Sequence, residues 1–394
     1  MLTNLAIVAY VRTQVGLPPD RKVVPSMPAP FRSMLAALLI IFLTFTIGCG
    51  QGPAATSRDI SLGVVYYLGY GWDVSGPPWN PIGGRGSQGW IEVKWDIIWS
   101  GLVTSVPEIG FYASGDPDII ETHLLLMESL GVDFVILPYQ GWGDADLDGK
   151  IDHPSYIGVR VHDAAQLVLD TANRLELDMQ FAFMVEPFME HFSGGKLEPE
   201  SVTDSQRQTI LDRMWDDFYS PYADQMYQVD GLPLIAAAER FTWGPYLDSG
   251  GRYSQRNVVW HQELGPSEDW AWVAVDRPPS QIFEDGTIFV WPRYDEFGVW
   301  LSHRPDMKDR PLDAVLRMDP FLTEGAYDEG WKGVFEEQDQ VSRVLIWSWN
   351  SWVDKVYIEP DSNFGYASHG DLLTRKTAYY YRLLASGSPF EPMK

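Results

Sequence analysis

Apolar runs of strand length recur along this chain, and most are separated by segments with helical spacing. Leu62–Tyr67, Val132–Pro138, Met179–Val185, Pro233–Ala238, Trp270–Val275, Thr287–Trp291 and Arg343–Trp347 read as strands. Their nearly unbroken apolar character is that of parallel strands covered on both faces. Ile91–Trp99 reads as one more short, irregular strand or a hairpin. Helices are predicted within Phe111–Asp133 and over His162–Leu175, Thr203–Tyr219, Phe321–Gln340 and Asp371–Leu384. The first is the best marked. Asp116 can cap it, Pro117 suits its first turn, Ile120, Leu124, Met127 and Leu130 share a face, and Gly131 closes it. Repeated strand–helix units imply a parallel sheet with right-handed crossovers, and this many imply closure rather than an open sheet. No GxGxxG or Walker loop follows a strand, which argues against a nucleotide-binding fold. The expected fold is α/β, a single (β/α)8 TIM-type barrel with long rim loops over residues 60–394.

A lipoprotein signal peptide is expected ahead of that barrel. Arg32 precedes the apolar run Met34–Ile47, and Gly48-Cys49 follows it. A run of about 14 residues is short of the ~20 that a spanning helix needs and fits a secretory signal. Thr46-Ile47-Gly48-Cys49 is similar to a bacterial lipobox, which would make Cys49 the lipidated mature N-terminus. An uncleaved anchor is the alternative. Residues 1–48 are then a leader, whose true start is Met1, Met27 or Met34, and residues 49–59 a small, polar tether. These features predict a location on the extracytoplasmic face of a bacterial membrane; a monomer is expected. With a single cysteine, an intrachain disulfide is excluded. A formal net charge of −25 repels phosphate backbones, so nucleic acid is not an expected partner.

The last strand leads into the most informative stretch, Val344–Asp361, VLIWSWNSWVDKVYIEPD. An apolar run that turns abruptly polar is a buried strand delivering side chains to its C-terminal rim, where barrels place their sites. Trp347, Trp349 and Trp352 add flat faces with polar N–H edges, the kind of surface on which a sugar ring stacks. With 17 Trp, 19 Tyr and 18 Phe, the chain has aromatic residues enough for sugar platforms as well as a core. The platform candidates are Tyr67, Trp142, Tyr294, Trp349 and Trp352.

Ser348–Pro360, SWNSWVDKVYIEP, resembles the SWNEWHEGTQIEP signature of glycoside hydrolase family 99, the endo-α-mannosidases and endo-α-mannanases. Ser348, Trp349, Asn350, Trp352, Ile358, Glu359 and Pro360 match position for position. YASGDPDIIETHLLLMESLGVDFVILPYQGW resembles the first helix and second strand of family 99-like proteins, and FAFMVEPF their strand ending in Glu-Pro-Tyr. The resemblance implies an endo-acting glycosidase of α-linked, mannose-containing polysaccharide or oligosaccharide. It implies Asp354 as general acid, Glu186 as a substrate-site carboxylate, and Asn350, Ser351 and Glu359 at the binding site. The sequence departs from the family at the two catalytic glutamates, which align with Ser351 and Asp354. The first of these would deprotonate a sugar 2-hydroxyl, a role serine does not fill without a base of its own.

Read independently of any family, four strands end in an acid: Glu186, Glu239, Asp276 and Asp295. Such acids converge at one rim of a barrel, and glycoside cleavage needs two carboxyl groups about the scissile bond. Glu186 or Glu239 could supply the carboxylate that Ser351 lacks. Asp144–Asp152, DADLDGKID, has Asp144, Asp146 and Asp148 at alternate positions, then Gly149, Lys150 and Asp152, the pattern of a calcium loop of EF-hand character. Ser155 stands where such loops carry a bidentate Glu; an acidic turn without metal is the alternative. A structural Ca2+ is the only cofactor expected, with no organic cofactor. HExxH and other zinc spacings are absent, as is a GxSxG elbow. Three readings stand: a hydrolase, a catalytically silent glycan-binding lipoprotein on the same barrel, and a glycan-modifying enzyme.

Overall fold

The sheet owes its shape to its last strand, which returns to pair with its first. The computed structural model describes residues 60–70, 106–109, 112–139, 157–185, 203–238, 251–261, 270–273, 282–292, 319–351, 356–362 and 370–393. Its parallel strands are β1 (Ser61–Val65), β2 (Phe134–Tyr139), β3 (Gln180–Val185), β4 (Leu232–Ala238), β5 (Ser254–His261), β6 (Trp270–Val273), β7 (Thr287–Val290) and β8 (Arg343–Ile346). They lie in the order β6-β5-β4-β3-β2-β1-β8-β7. Gly63 thus faces Leu345 on one side and Phe134 on the other. One apolar cluster draws on every strand: Val65, Ile136, Met184, Ala236, Val258, Trp270, Phe289 and Leu345. A flat sheet could not do this, so the sheet curls around a common interior. Its end strands β6 and β7 meet through side chains, with the rings of Trp270 and Phe289 centred 5.6 Å apart.

Strand β5 corrects the sequence reading, which has no element at Ser254–His261. It opens with Ser254, Gln255, Arg256 and Asn257, all polar, and Ser254, Gln255 and Asn257 are nevertheless buried. Burial of hydrogen-bonding residues at the base of the sheet hides a strand from a search for apolar runs. The segment Ile91–Trp99 lies outside the described residues.

The helices are α1 (Pro117–Leu130), α2 (Ile157–Arg174), α3 (Asp204–Met214), α4 (Asp319–Glu336) and α5 (Leu372–Ala385). Asp116 caps α1 by accepting from the Asp118 amide, and Gly131 ends it at φ 84°, a left-handed conformation that glycine adopts without strain. Thr203 and Gln206 form a capping box at α3. The predicted single helix to Tyr219 is in fact α3 followed by a π turn, Trp215–Tyr219. That widened turn brings Tyr219 to donate to the Leu234 carbonyl at 2.7 Å.

Two contacts fix the interior. A Cβ added to Gly63 would lie 2.2 Å from the Phe134 ring, so the absent side chain leaves room for that ring. Phe134 in turn stacks on Tyr227, centroids 4.0 Å apart and 11° from parallel. At the base, Asp285 accepts from Arg256 Nε at 2.9 Å and from Trp270 Nε1 at 3.2 Å, and Arg343 Nη2 lies 3.2 Å from the same oxygen. Asp285 Oδ1 accepts from the Thr287 amide at 3.0 Å. Burial alone would raise the Asp285 pKa, but the Arg343 charge and the bonds from Arg256 and Thr287 outweigh it, and the net direction is down.

Gly63→Ala should destabilise by about 1–3 kcal/mol through overpacking against Phe134, read from urea unfolding. Asp285→Asn should cost roughly 1.5–3 kcal/mol at neutral pH, the range for hydrogen bonds to charged groups. Because the folded pKa is depressed, this stabilisation is present above the unfolded value of about 4 and is lost as pH falls through the folded one. The gap between wild type and variant should therefore narrow below about pH 4. A gap constant down to pH 2 would exclude ionised Asp285 as its source.

Candidate active-site wall

β8 ends at Ile346 between β1 and β7, and the next two tryptophans part, Trp347 to the interior cluster and Trp349 to His123 of α1. Trp347 turns in. Its ring stacks on Trp291, which follows β7 (5.6 Å, 23°), and meets Tyr67, which follows β1, edge-on at 6.4 Å. Tyr67, Trp291 and Trp347 thus form an aromatic layer at the C-terminal ends of three adjacent strands, the end at which barrel enzymes react. Tyr67 is the half-buried member. The Trp347–Ser348 peptide is cis.

Trp349 and Asn350 fasten the outgoing chain to β1. The Trp349 amide donates to the Val65 carbonyl at 2.7 Å. Asn350 clamps the main chain of Tyr67 on both sides: Oδ1 accepts from the Tyr67 amide at 2.8 Å, and Nδ2 donates to the Tyr67 carbonyl at 2.9 Å. This is the pairing that a neighbouring strand would make, supplied by one side chain. Asn350–Ser351 then pairs antiparallel with Val356–Tyr357, and the Glu359 amide returns to the Trp349 carbonyl at 2.8 Å.

Behind the clamp lies a buried polar chain between the strands and α1. Asn350 Nδ2 also donates to the Tyr112 hydroxyl at 3.1 Å, and that hydroxyl donates to Glu359 Oε2 at 2.9 Å. Glu359 Oε1 lies 3.0 Å from His123 Nε2, and His123 Nδ1 lies 3.0 Å from the Tyr66 hydroxyl. His123 and Asn350 are fully buried, and Glu359 is 1% exposed. Buried polar groups persist only when paired, and here the chain of donors and acceptors is consistent from end to end. Burial, and then the Glu359 charge, holds the Tyr66 and Tyr112 pKa values well above the ordinary phenol value, so both keep their protons and donate.

The sequence-derived site residues divide sharply. Tyr67 and Asn350 are brought together, with Ser351 and Glu359 close behind. Trp349 requires a correction: its ring is fully buried, edge-on to His123 at 5.7 Å, and offers no open face to a sugar. Asn350, Ser351 and Glu359 are buried as well. The Ser351 amide donates to Ser348 Oγ at 2.7 Å. Glu186, Glu239, Asp354, Trp142, Trp352, Tyr294, Asp295, the loop residues Asp144, Asp146, Asp148, Lys150 and Asp152, and Cys49 lie outside the described residues. Among the described residues no cluster of His, Cys, Asp and Glu is placed to hold a metal ion.

Tyr66, Tyr112 and His123 are the participants that sequence reasoning missed. The signal for His123 was available. It shares the buried face of α1 with Ile120, Leu124, Met127 and Leu130, and a titratable side chain on an apolar stripe implies a buried partner. Nothing comparable marks Tyr112 in a loop.

No protein-family model matches the sequence. A glycoprotein endo-alpha-1,2-mannosidase-like protein of Danio rerio is 31% identical over 137 residues, which are 32% of this chain and 28% of that relative. The chain thus spans well under a third of the length of the curated relative it matches. The solved GH99 endo-alpha-mannosidase of Bacteroides thetaiotaomicron superposes over 84% of this chain and 98% of its own, with a TM-score of 0.51 and 19% identity. Its complex with bis-tris propane gives 0.50 and 17%, again over 84% of this chain. In fold the chain is similar to the GH99 endo-alpha-mannosidase, and in sequence, over part of its length, to an endo-alpha-1,2-mannosidase-like protein.

Proposed function

We propose that this protein is an extracytoplasmic, lipid-anchored glycoside hydrolase with a closed (β/α)8 barrel, cleaving internal α-linkages, mannosidic by analogy, in a polysaccharide. The observation that carries the reading is the wall after β8. The signature stretch emerges at the C-terminal edge of the sheet, is clamped to Tyr67, and pairs Ser351 with Val356. Asp354 belongs to the four-residue connection between those two residues. In this reading Asp354 protonates the leaving glycosidic oxygen. Glu186, or Glu239, orients the sugar or activates the attacking group. Water completes the hydrolysis, so one C–O bond breaks and one forms. Tyr67, with Trp142, Tyr294, Asp295 and Trp352, would bind the glycan. Cys49 would carry the lipid. The DADLDGKID loop would hold a structural Ca2+ through Asp144, Asp146, Asp148, the Lys150 carbonyl and Asp152.

A second reading, a silent glycan-binding lipoprotein, is favoured by one observation. The position that aligns with a catalytic glutamate of the family is Ser351, buried at 2% exposure and held against Ser348.

Hydrolysis of a panel of α-mannans and other bacterial polysaccharides separates the two. The wild type should release oligosaccharides, and Asp354→Asn should lower kcat/KM by at least about 100-fold, the lower end of acid–base contributions. Release unchanged in the variant would keep the enzyme and remove Asp354 as its acid. Saturable binding without release would establish the silent binder. Separately, calcium in excess should raise Tm by about 2–4 °C for each kcal/mol of binding linkage, and Asp144→Asn with Asp148→Asn should abolish the shift. A shift that survives this double substitution would place the ion elsewhere.

A further inference from the structure

We infer that Glu359 is a positioning residue, setting the place of Tyr67 at the rim through Tyr112 and Asn350. The direction of each hydrogen bond fixes that of the next. The Tyr67 amide needs an acceptor and its carbonyl a donor, so Asn350 must present Oδ1 to one and Nδ2 to the other. The second Nδ2 proton then points to the Tyr112 oxygen, 3.1 Å away, and Tyr112 must send its own proton elsewhere. It goes to Glu359 Oε2 at 2.9 Å. Removing that acceptor takes away the bond that fixes the direction of the Tyr112 hydroxyl, and with it the oxygen that the Asn350 amide meets. The other carboxylate oxygen takes the Nε2 proton of His123, which leaves Nδ1 to accept from Tyr66. Glu359 therefore emits order in two directions, and the branch through Tyr112 ends on the main chain of the half-buried aromatic at the rim.

The position of Tyr67 is inferred from geometry alone; its consequence for glycan affinity rests on the function proposed above. Three variants of the full chain test both. Tyr112→Phe removes only the hydroxyl and keeps the ring packing against Tyr70 and His123. Glu359→Ala removes the acceptor. Glu359→Gln keeps an oxygen for Tyr112 but offers His123 an N–H, which forces the ring into the Nδ1–H tautomer.

With 3-fluorotyrosine placed at position 67, the fluorine resonance should shift or split in Tyr112→Phe and Glu359→Ala and stay at the wild-type position in Glu359→Gln. In Glu359→Gln the two His123 ring nitrogens should exchange their protonated and unprotonated 15N shifts. For a glycan bound or cleaved by the wild type, Tyr112→Phe should raise Kd or KM up to about tenfold, the equivalent of one hydrogen bond, with kcat little changed. Glu359→Gln should recover most of the affinity that Glu359→Ala loses, since it still takes the Tyr112 proton. A Tyr67 resonance in Tyr112→Phe that superimposes on wild type would overturn the inference, whether or not Glu359→Ala folds. A resonance that moves while the wild type neither binds nor cleaves any glycan would uphold the positioning and remove the carbohydrate reading instead.

Discussion

One buried carboxylate organises the wall of this molecule. Glu359 lies almost out of reach of water, where an unpaired charge is far too costly to persist. Its two oxygens are met by Tyr112, from the loop before α1, and by His123, from the helix itself. The Glu359 amide meanwhile returns to the Trp349 carbonyl, just beyond β8. The side chain thus couples three parts of the chain far apart in sequence: the exit of β8, the buried face of α1, and, through Asn350, the end of β1. Packing alone would hold these elements near one another. Directional bonds fix their register, which apolar contacts cannot do.

The interior obeys a different rule. It is filled by side chains rather than left open, and one position decides how. The missing side chain at Gly63 on β1 admits the ring of Phe134 from β2, which reaches across to stack on Tyr227. Below that layer, Asp285 gathers Arg256 and Arg343 with the indole of Trp270 and joins the two ends of the sheet. Above it, Trp291, Trp347 and Tyr67 form the aromatic layer. Charge at the base, aliphatic and aromatic filling in the middle and aromatic edges at the top give the sheet a polarity along its axis.

Much of this was legible in the sequence, for identifiable reasons. Seven of the eight strands announced themselves as apolar runs, and α1 by its cap, its stripe and its terminal glycine. The eighth, Ser254–His261, is buried through polar residues and has no such signature. Clustering of Tyr67 and Asn350 followed from strand ends and from the signature. The orientation of Trp349 did not. An indole reads equally well as a platform and as core, and only the neighbouring His123 shows which it is. Tyr112 was illegible because its partner, Glu359, lies 247 residues away.

The same division bears on what a sequence signature can say about chemistry. The described positions that match the family 99 signature are Ser348, Trp349, Asn350, Ile358, Glu359 and Pro360, and every one of them is buried. Three of them hold the wall through their side chains: Asn350 by clamping Tyr67, Glu359 by anchoring Tyr112 and His123, and Ser348 by accepting from Ser351. A wall of this kind can be kept intact while the groups it presents are exchanged, since no hydrogen bond within it depends on a carboxylate at position 351. The matched residues therefore argue for the fold and for the place of the site more strongly than for the reaction. The reaction proposed above rests instead on Asp354 and a second acid, and it is at positions 351 and 354 that the sequence departs from the family signature.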